Sequence, residues 1–389
     1  MGAQEASARR ACLRRWAPCG ERAAAGTEPG GAHTLEHTHT LSYSRCASRG
    51  VVPFVVWRQR RKGPCTADRA PSPVSSRRME EDAWAPLGAG DFGAELRGAA
   101  ASALLARWRA GHASTLSQLR TRLARHGVLA LRPDACSGDG DDAASILGLA
   151  EQLGRPRPTP SSACVTADGA SRASRAEQAA ASQSAVLRVV RSAEDTGQQI
   201  FGEQWHRDCS FCQDALPHVT LWRAVQIPPA PGGRTLFACM AAFLDALPPP
   251  LAAELRRCDA VHSAINRRLL PPGSEAAAAG ASRSCRPALG QHPVDGRSYA
   301  DVCDGFSEEL RAAAGSQPGA AAAMPALLDR VLEELHAWAG SGVADVVDWQ
   351  WRSGDVVLLD NVRCVHLATG GVEGHRRELH RVLVDGCWA

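Results

Sequence analysis

A mainly β domain flanked by α-helices is the fold class this 389-residue sequence predicts. Three observations point there. Short apolar or alternating runs bounded by Gly and Pro recur at residues 128–132, 184–191, 219–225, 235–239 and 356–359. Segments with helical periodicity lie between them. Two residue types that bind metals end one strand-like region, and a third follows another, far along the chain.

Composition narrows the class. Apolar content of 44% is ordinary for a globular protein. No run approaches the roughly 18 apolar residues of a membrane span, so a soluble protein with no membrane partner is expected. The net charge of +3 hides an asymmetry. Residues 1–79 hold 14 Lys+Arg against 5 Asp+Glu, whereas the remainder holds 30 against 36. The basic charge therefore sits in the N-terminal segment, and the rest gives no electrostatic case for nucleic acid. Fourteen Cys are scattered through a long chain rather than spaced as a disulfide framework, which reads as reduced thiols of an intracellular protein.

In chain order, residues 1–80 lack sustained hydrophobic periodicity and are rich in Arg, Ala, Ser, Gly and Pro. Such a stretch cannot bury enough apolar surface to offset its ordering entropy. Three readings stand: an organelle transit peptide, a disordered tail, or a start site upstream of the true one at Met79, where composition changes. The protein is then cytoplasmic, or organellar if the first reading holds. Residues 81–113 read as a linker. Its Gly88-Ala-Gly-Asp-Phe-Gly93 stretch matches G-x-G-x-x-G, but no strand precedes it, so a loop is expected.

From Ser114 the pattern is regular. Leu116, Leu119 and Leu123 make a helical stripe that stops at His126-Gly127. A strand follows over 128–132, then a helix over 143–153 closing on Gly154, then small polar residues at 155–183 that read as a loop. The alternating strand 184–191 leads into Phe201-Gly-Glu-Gln-Trp-His-Arg-Asp208. Cys209-x-x-Cys212 comes next and looks like a redox or zinc pair. No second pair at zinc spacing accompanies it, and the neighbouring His206-x-Asp208 accounts for the region better. Strands 219–225 and 235–239 flank a Pro/Gly turn, and two short helices are expected at 241–247 and 249–257. Residues 266–325 read as a low-complexity insertion, broken by Gln291-His-Pro-Val-Asp-Gly-Arg297. Leu327, Leu328, Val331, Leu332, Leu335 and Trp338 then form the core stripe of a helix over 325–339.

The candidate chemistry lies in three residues. On a strand, positions i and i+2 share a face, so His206 and Asp208 would converge on one point. They supply two ligands of a 2-His-1-carboxylate triad for non-haem Fe(II). In a chain of 13 His, an H-x-D alone arises by chance. His366, 160 residues on, is the candidate third ligand; it follows a Gly354-Asp355 turn, an apolar strand and Asp360-Asn361.

The set Trp205-His206-x-Asp208, Gly232-Gly-Arg-Thr235, Gly354-Asp355, Asp360-Asn361-x4-His366 and Arg377-x3-Arg381 resembles the taurine dioxygenase family. The resemblance covers roughly residues 114–385, here taken as the catalytic domain 114–386. It implies a double-stranded β-helix (a cupin-like jelly roll) and an Fe(II)-dependent oxygenase using 2-oxoglutarate and O2. Arg377, 11 residues after His366, would bind 2-oxoglutarate with the Thr235 hydroxyl. Arg381 would face the co-substrate or an anionic substrate. The retained carboxylate at Asp208 argues for oxygenation, because related halogenases carry a small residue there. Gly202 stands where taurine-type members have Asn, and no histidine in 155–183 matches their sulfonate-binding one. The expected reaction is hydroxylation of a small anion other than taurine, with release of succinate and CO2. Gly370-Gly371 replaces the family's Asp-Tyr, a change expected to loosen that loop. Desaturation at the same iron, or a non-catalytic jelly-roll binding protein, are the alternatives, and homo-oligomer formation stays open.

Overall fold

A computed structural model describes residues 83–134, 142–159, 184–191, 202–270, 280–313, 324–343 and 345–388, with Ala193 and Gly273. The expectations for residues 1–80 lie outside the described residues. All described positions belong to one compact unit, Arg69–Ala389.

The chain opens with β1 (Ala85–Pro86) and β2 (Ala94–Arg97), then α1 (Gly98–Arg109) and α2 (Ala113–His126). This corrects the linker expected at 81–113. Strand β2 pairs in parallel with β3 (Val128–Arg132). Ala101, Leu104, Leu105 and Trp108 of α1 are buried at i, i+3, i+4 and i+7 spacing. Trp108 Nε1 donates to the Leu149 carbonyl oxygen at 3.1 Å. The apolar stripe was present in the sequence but diluted by alanines. Helix α2 stops where anticipated: Gly127 takes φ +71°, and its N–H returns to the Leu123 carbonyl oxygen at 2.8 Å.

Helix α3 (Asp142–Leu153) leads to β4 (Arg155–Arg157), which pairs with the end of the last strand rather than belonging to a loop. Then come β5 (Val186–Arg191), β6 (Val219–Gln226), β7 (Thr235–Cys239), α4 (Met240–Ala246) and α5 (Pro249–Leu255). The supposed insertion at 266–325 is largely structured where it is described. Strand β8 (Cys258–Ser263) lies between β9 (Arg283–Pro287) and β12 (Ser307–Ala312), while β10 (Leu289–Gln291) and β11 (Ser298–Ala300) form a hairpin. Apolar residues too sparse to signal a strand are buried there: Leu310, Tyr299, Ala300 and Val302. Helix α6 (Met324–Ala339), β13 (Val346–Trp349), β14 (Val356–Asp360), β15 (Cys364–Ala368) and β16 (Arg377–Asp385) complete the chain.

The main sheet runs β1-β2-β3-β14-β6-β16, with β4 and β5 both beside β16. Successive side chains alternate across it. Leu129, Leu131, Leu221, Leu358 and Val382 face one way and pack with α1–α3. Ala130, Trp222, Val357, Leu359 and Leu379 face the other way, into a core shared with the β13-β7-β15 sheet. Burial on both faces explains the continuous apolar runs of β3 and β14. The site lies between these two sheets.

Candidate active site

Two sequence-distant segments meet through their backbones. The His206 N–H donates to the His366 carbonyl oxygen at 2.9 Å, and the His366 N–H returns to the His206 carbonyl oxygen at 2.8 Å. This isolated antiparallel bridge, not a regular strand, carries His206, and Asp208 begins a turn. The expected strand geometry is thereby corrected, yet the convergence stands. Ligand atoms of His206, Asp208 and His366 lie within 4.8 Å of one another, all buried.

The chain around each group fixes its direction. His206 Nδ1 lies 2.8 Å from the Gln204 carbonyl oxygen. Donation there puts the proton on Nδ1 and leaves the Nε2 lone pair for a metal. His366 Nε2 is 3.9 Å from Asp208 Oδ2, while its Nδ1 has no hydrogen-bond partner among the described residues. Burial lowers the pKa of both imidazoles, His366 further through His206, so both are neutral, the form that ligates. Burial alone would raise the Asp208 carboxyl, but the Arg381 guanidinium, with the Thr220 hydrogen bond, outweighs it and holds the pKa below the usual range. The donor set of two neutral imidazoles and one carboxylate fits a facial-triad metal.

Several supports escaped the sequence reading. Arg381, on β16, forms a buried ion pair with Asp208 Oδ1 and donates to Thr159 Oγ1 at 3.3 Å. Thr220, buried on β6, donates to Asp208 Oδ2 at 2.9 Å. Asn361 clasps the Asp208 backbone: its Oδ1 accepts from the Asp208 N–H at 3.1 Å, and its Nδ2 donates to the Asp208 carbonyl oxygen at 3.0 Å. Asp360 Oδ1 also bonds backbone, accepting from the Val362 N–H at 3.1 Å. Arg207, between the two ligands, is fully buried, pairs with Asp301 after β11 and lies over the Tyr299 ring. Only the alternation of the H-x-D motif hinted at Arg207, and nothing local pointed to its partner.

The surroundings of Arg377 differ. Arg377 is 8% exposed, and its Nε has no hydrogen-bond partner among the described residues. Burial and the neighbouring Arg191 push its pKa down to about 10. Its side chain runs past Gly233, where an added Cβ would lie 3.3 Å from Arg377 Cδ. That places it along the turn leading to Thr235, whose Oγ1 accepts from Trp351 Nε1 at 2.9 Å. The bond leaves the Thr235 proton available to an acceptor. The loop expected to be loosened by Gly370-Gly371 is instead clamped. A Cβ on Gly232 would sit 1.7 Å from the Gly371 carbonyl oxygen, and the Gly233 N–H donates to the Gly370 carbonyl oxygen at 3.1 Å. Two glycine backbones in contact exclude side chains there.

Over residues 85–383 the sequence matches the family described as taurine catabolism dioxygenase TauD, TfdA family. The chain belongs to this family. It is 25% identical over 308 residues to an alpha-ketoglutarate-dependent sulfate ester dioxygenase of Pseudomonas putida, covering 77% of this chain and 88% of that protein. Over 80 residues it is 41% identical to the alpha-ketoglutarate-dependent 2,4-dichlorophenoxyacetate dioxygenase of Cupriavidus pinatubonensis, a match spanning 21% of this chain and 27% of that protein. The crystal structure of a taurine dioxygenase from Burkholderia xenovorans aligns with a TM-score of 0.51 at 20% identity, covering 77% of this chain and 89% of that one. That likeness concerns the fold. Within this TauD/TfdA-family chain, the five motifs of the sequence reading fall inside the matched span.

Proposed function

We propose that this protein is an Fe(II)- and 2-oxoglutarate-dependent dioxygenase with a double-stranded β-helix core, hydroxylating a small anionic organic substrate. The observation that carries the reading is a conjunction: a buried His-Asp-His ligand set and a buried arginine, Arg377, that lacks an anionic partner among the described residues. A bare metal-binding protein would not need the second feature.

His206, Asp208 and His366 hold the iron in this reading. Bound iron and 2-oxoglutarate supply the oxidative decarboxylation and the activation of O2, with succinate and CO2 released. Arg377 receives the distal carboxylate, a planar fork suited to two parallel hydrogen bonds, and the Thr235 hydroxyl adds a third. Arg381 holds Asp208 through one nitrogen, and its Nε, unpaired among the described residues, serves the anionic group of the substrate. Trp222, Phe237 and Phe306 pack around the imidazoles and keep water from the reacting C–H. The names of two relatives, acting on 2,4-dichlorophenoxyacetate and on sulfate esters, support an anionic substrate. The protein works inside the cell in this account.

An anaerobic titration of the full chain with Fe(II) and 2-oxoglutarate tests it. The expected result is a visible charge-transfer band from the iron chelate that is lost in His366→Ala and needs far more 2-oxoglutarate in Arg377→Ala. Well-folded protein that binds Fe(II) and gives no band would overturn the dioxygenase reading.

A further inference from the structure

The Cys209-x-x-Cys212 pair begins one residue after the ligand carboxylate and has no part in the proposed reaction. Both cysteines are buried and reduced. The Cys212 N–H donates to the Cys209 carbonyl oxygen at 3.0 Å, closing a turn that keeps the two Cα atoms within about 7 Å. Disulfides need Cα separations of roughly 4.4–6.8 Å, so the turn is compatible with one. The neighbouring Cys209 thiol lowers the pKa of Cys212 against the cost of burial, which favours its reaction.

The turn is wired to the site on both sides. Cys209 is the non-glycine residue with positive φ (56°) among the described residues, a conformation its surroundings must hold. Upstream, Asn361 clasps the Asp208 backbone. Within the turn, the Ser210 carbonyl oxygen accepts from Ser284 Oγ and Arg286 Nη1, each at 2.6 Å. Phe211, also between the cysteines, packs edge-on against Phe306 at 4.9 Å, and Phe306 packs against His206 at 5.9 Å. A change in the turn therefore reaches the ligands through Asp208 and through this aromatic pair.

We propose that Cys209 and Cys212 form a peroxide-oxidised disulfide that weakens iron binding at the adjacent ligand set. The step balances with hydrogen peroxide as oxidant. The Cys212 sulfur attacks the O–O bond, giving a sulfenic acid and one water. The Cys209 thiol then displaces the sulfenic hydroxyl, giving the disulfide and a second water. Two sulfurs are oxidised, one peroxide is reduced, and a thiol reductant reverses the change. Closing the ring draws Cys209 toward Cys212 and with it the backbone of Asp208. The inference rests on the metal reading for its consequence, though not for the oxidation itself.

The test uses the full, metal-free chain, treated with hydrogen peroxide and freed of it before Fe(II) is added without air. The peptide running from Asp208 to Arg223 should lose two hydrogens in mass and resist alkylation, and dithiothreitol should restore both properties. Fe(II) affinity of the oxidised protein should fall roughly tenfold or more, the scale of disturbed ligand support, and recover with dithiothreitol. Cys212→Ser should keep its Fe(II) affinity through the same treatment, with Cys209→Ser as an independent second variant. Cysteines that stay alkylatable, or a disulfide that leaves Fe(II) affinity unchanged, would overturn the proposal. So would an equal, reductant-reversible loss in both variants. Reduced protein that binds no Fe(II) would instead sink the metal reading and the coupling with it, while the peptide still reports the disulfide.

Discussion

Four residues apart on β16, Arg381 and Arg377 face the same interior, yet their surroundings differ. Arg381 is matched internally: Asp208 neutralises it, and Thr220 and Asn361 complete the contacts of that aspartate. Arg377 is also buried, but among the described residues its charged neighbour is Arg191, which with burial disfavours its charge. The His206-Asp208-His366 end is thus preorganised by the protein, whereas the proposed function leaves Arg377 for a ligand to complete. A buried charge without a partner costs stability and is retained where binding needs it.

The contrast can be broken at its centre. His366→Ala removes a ligand, and Fe(II) affinity and turnover should fall beyond the about 100-fold typical of outer-shell changes; iron titration and product assay read this. The two arginines should then separate in stability. Arg381→Gln leaves Asp208 buried without its counter-charge and should lower unfolding free energy by about 3–5 kcal/mol. Arg377→Gln should leave it unchanged or raised. A comparable loss in both variants, by denaturant unfolding, would show that the two ends are not built differently.

The support behind Arg207 predicts a pH dependence. His262 is buried among Asp301, Arg207, Arg286 and Ser307, and burial pushes its pKa down to about 4. Asp301, held down to about 2 chiefly by Arg207 against the cost of burial, stays ionised throughout that range. Between about pH 6.5 and pH 4 the unfolded chain takes up a proton that folded His262 refuses. Stability should therefore fall as pH drops through this window, by on the order of 3 kcal/mol in total. His262→Asn should flatten that slope in urea unfolding measured across the window.

Smaller effects sharpen the comparison. Arg377→Gln should weaken 2-oxoglutarate roughly 10–100-fold, the worth of a charged hydrogen-bond pair, with Fe(II) affinity intact. Thr220→Val keeps the shape but removes one donor to Asp208. It should cost roughly tenfold in Fe(II) affinity and leave 2-oxoglutarate binding to the loaded enzyme nearly unchanged.

How far the sequence could be read follows from the range of each signal. The convergence of His206, Asp208 and His366 was legible because fixed spacings and residue chemistry mark it, and the same motifs marked Thr235, Arg377 and Arg381 as candidates. The runs at 128–132, 235–239 and 356–359 became strands because burial on both faces leaves a continuous apolar trace. Helix α1 and strands β9, β10 and β12 were missed, since alanine-rich or polar segments carry weak periodicity and become ordered by packing on elements distant in sequence. Local spacing was enough to mark the ligand types and the two arginines as candidates. Packing set the rest: Arg381 pairs with Asp208 while Arg377 has no anionic partner among the described residues, Arg207 reaches Asp301, and Gly232 meets Gly371. Each joins residues tens to hundreds of positions apart, and such pairings are set by how the strands pack, to which local pattern is blind.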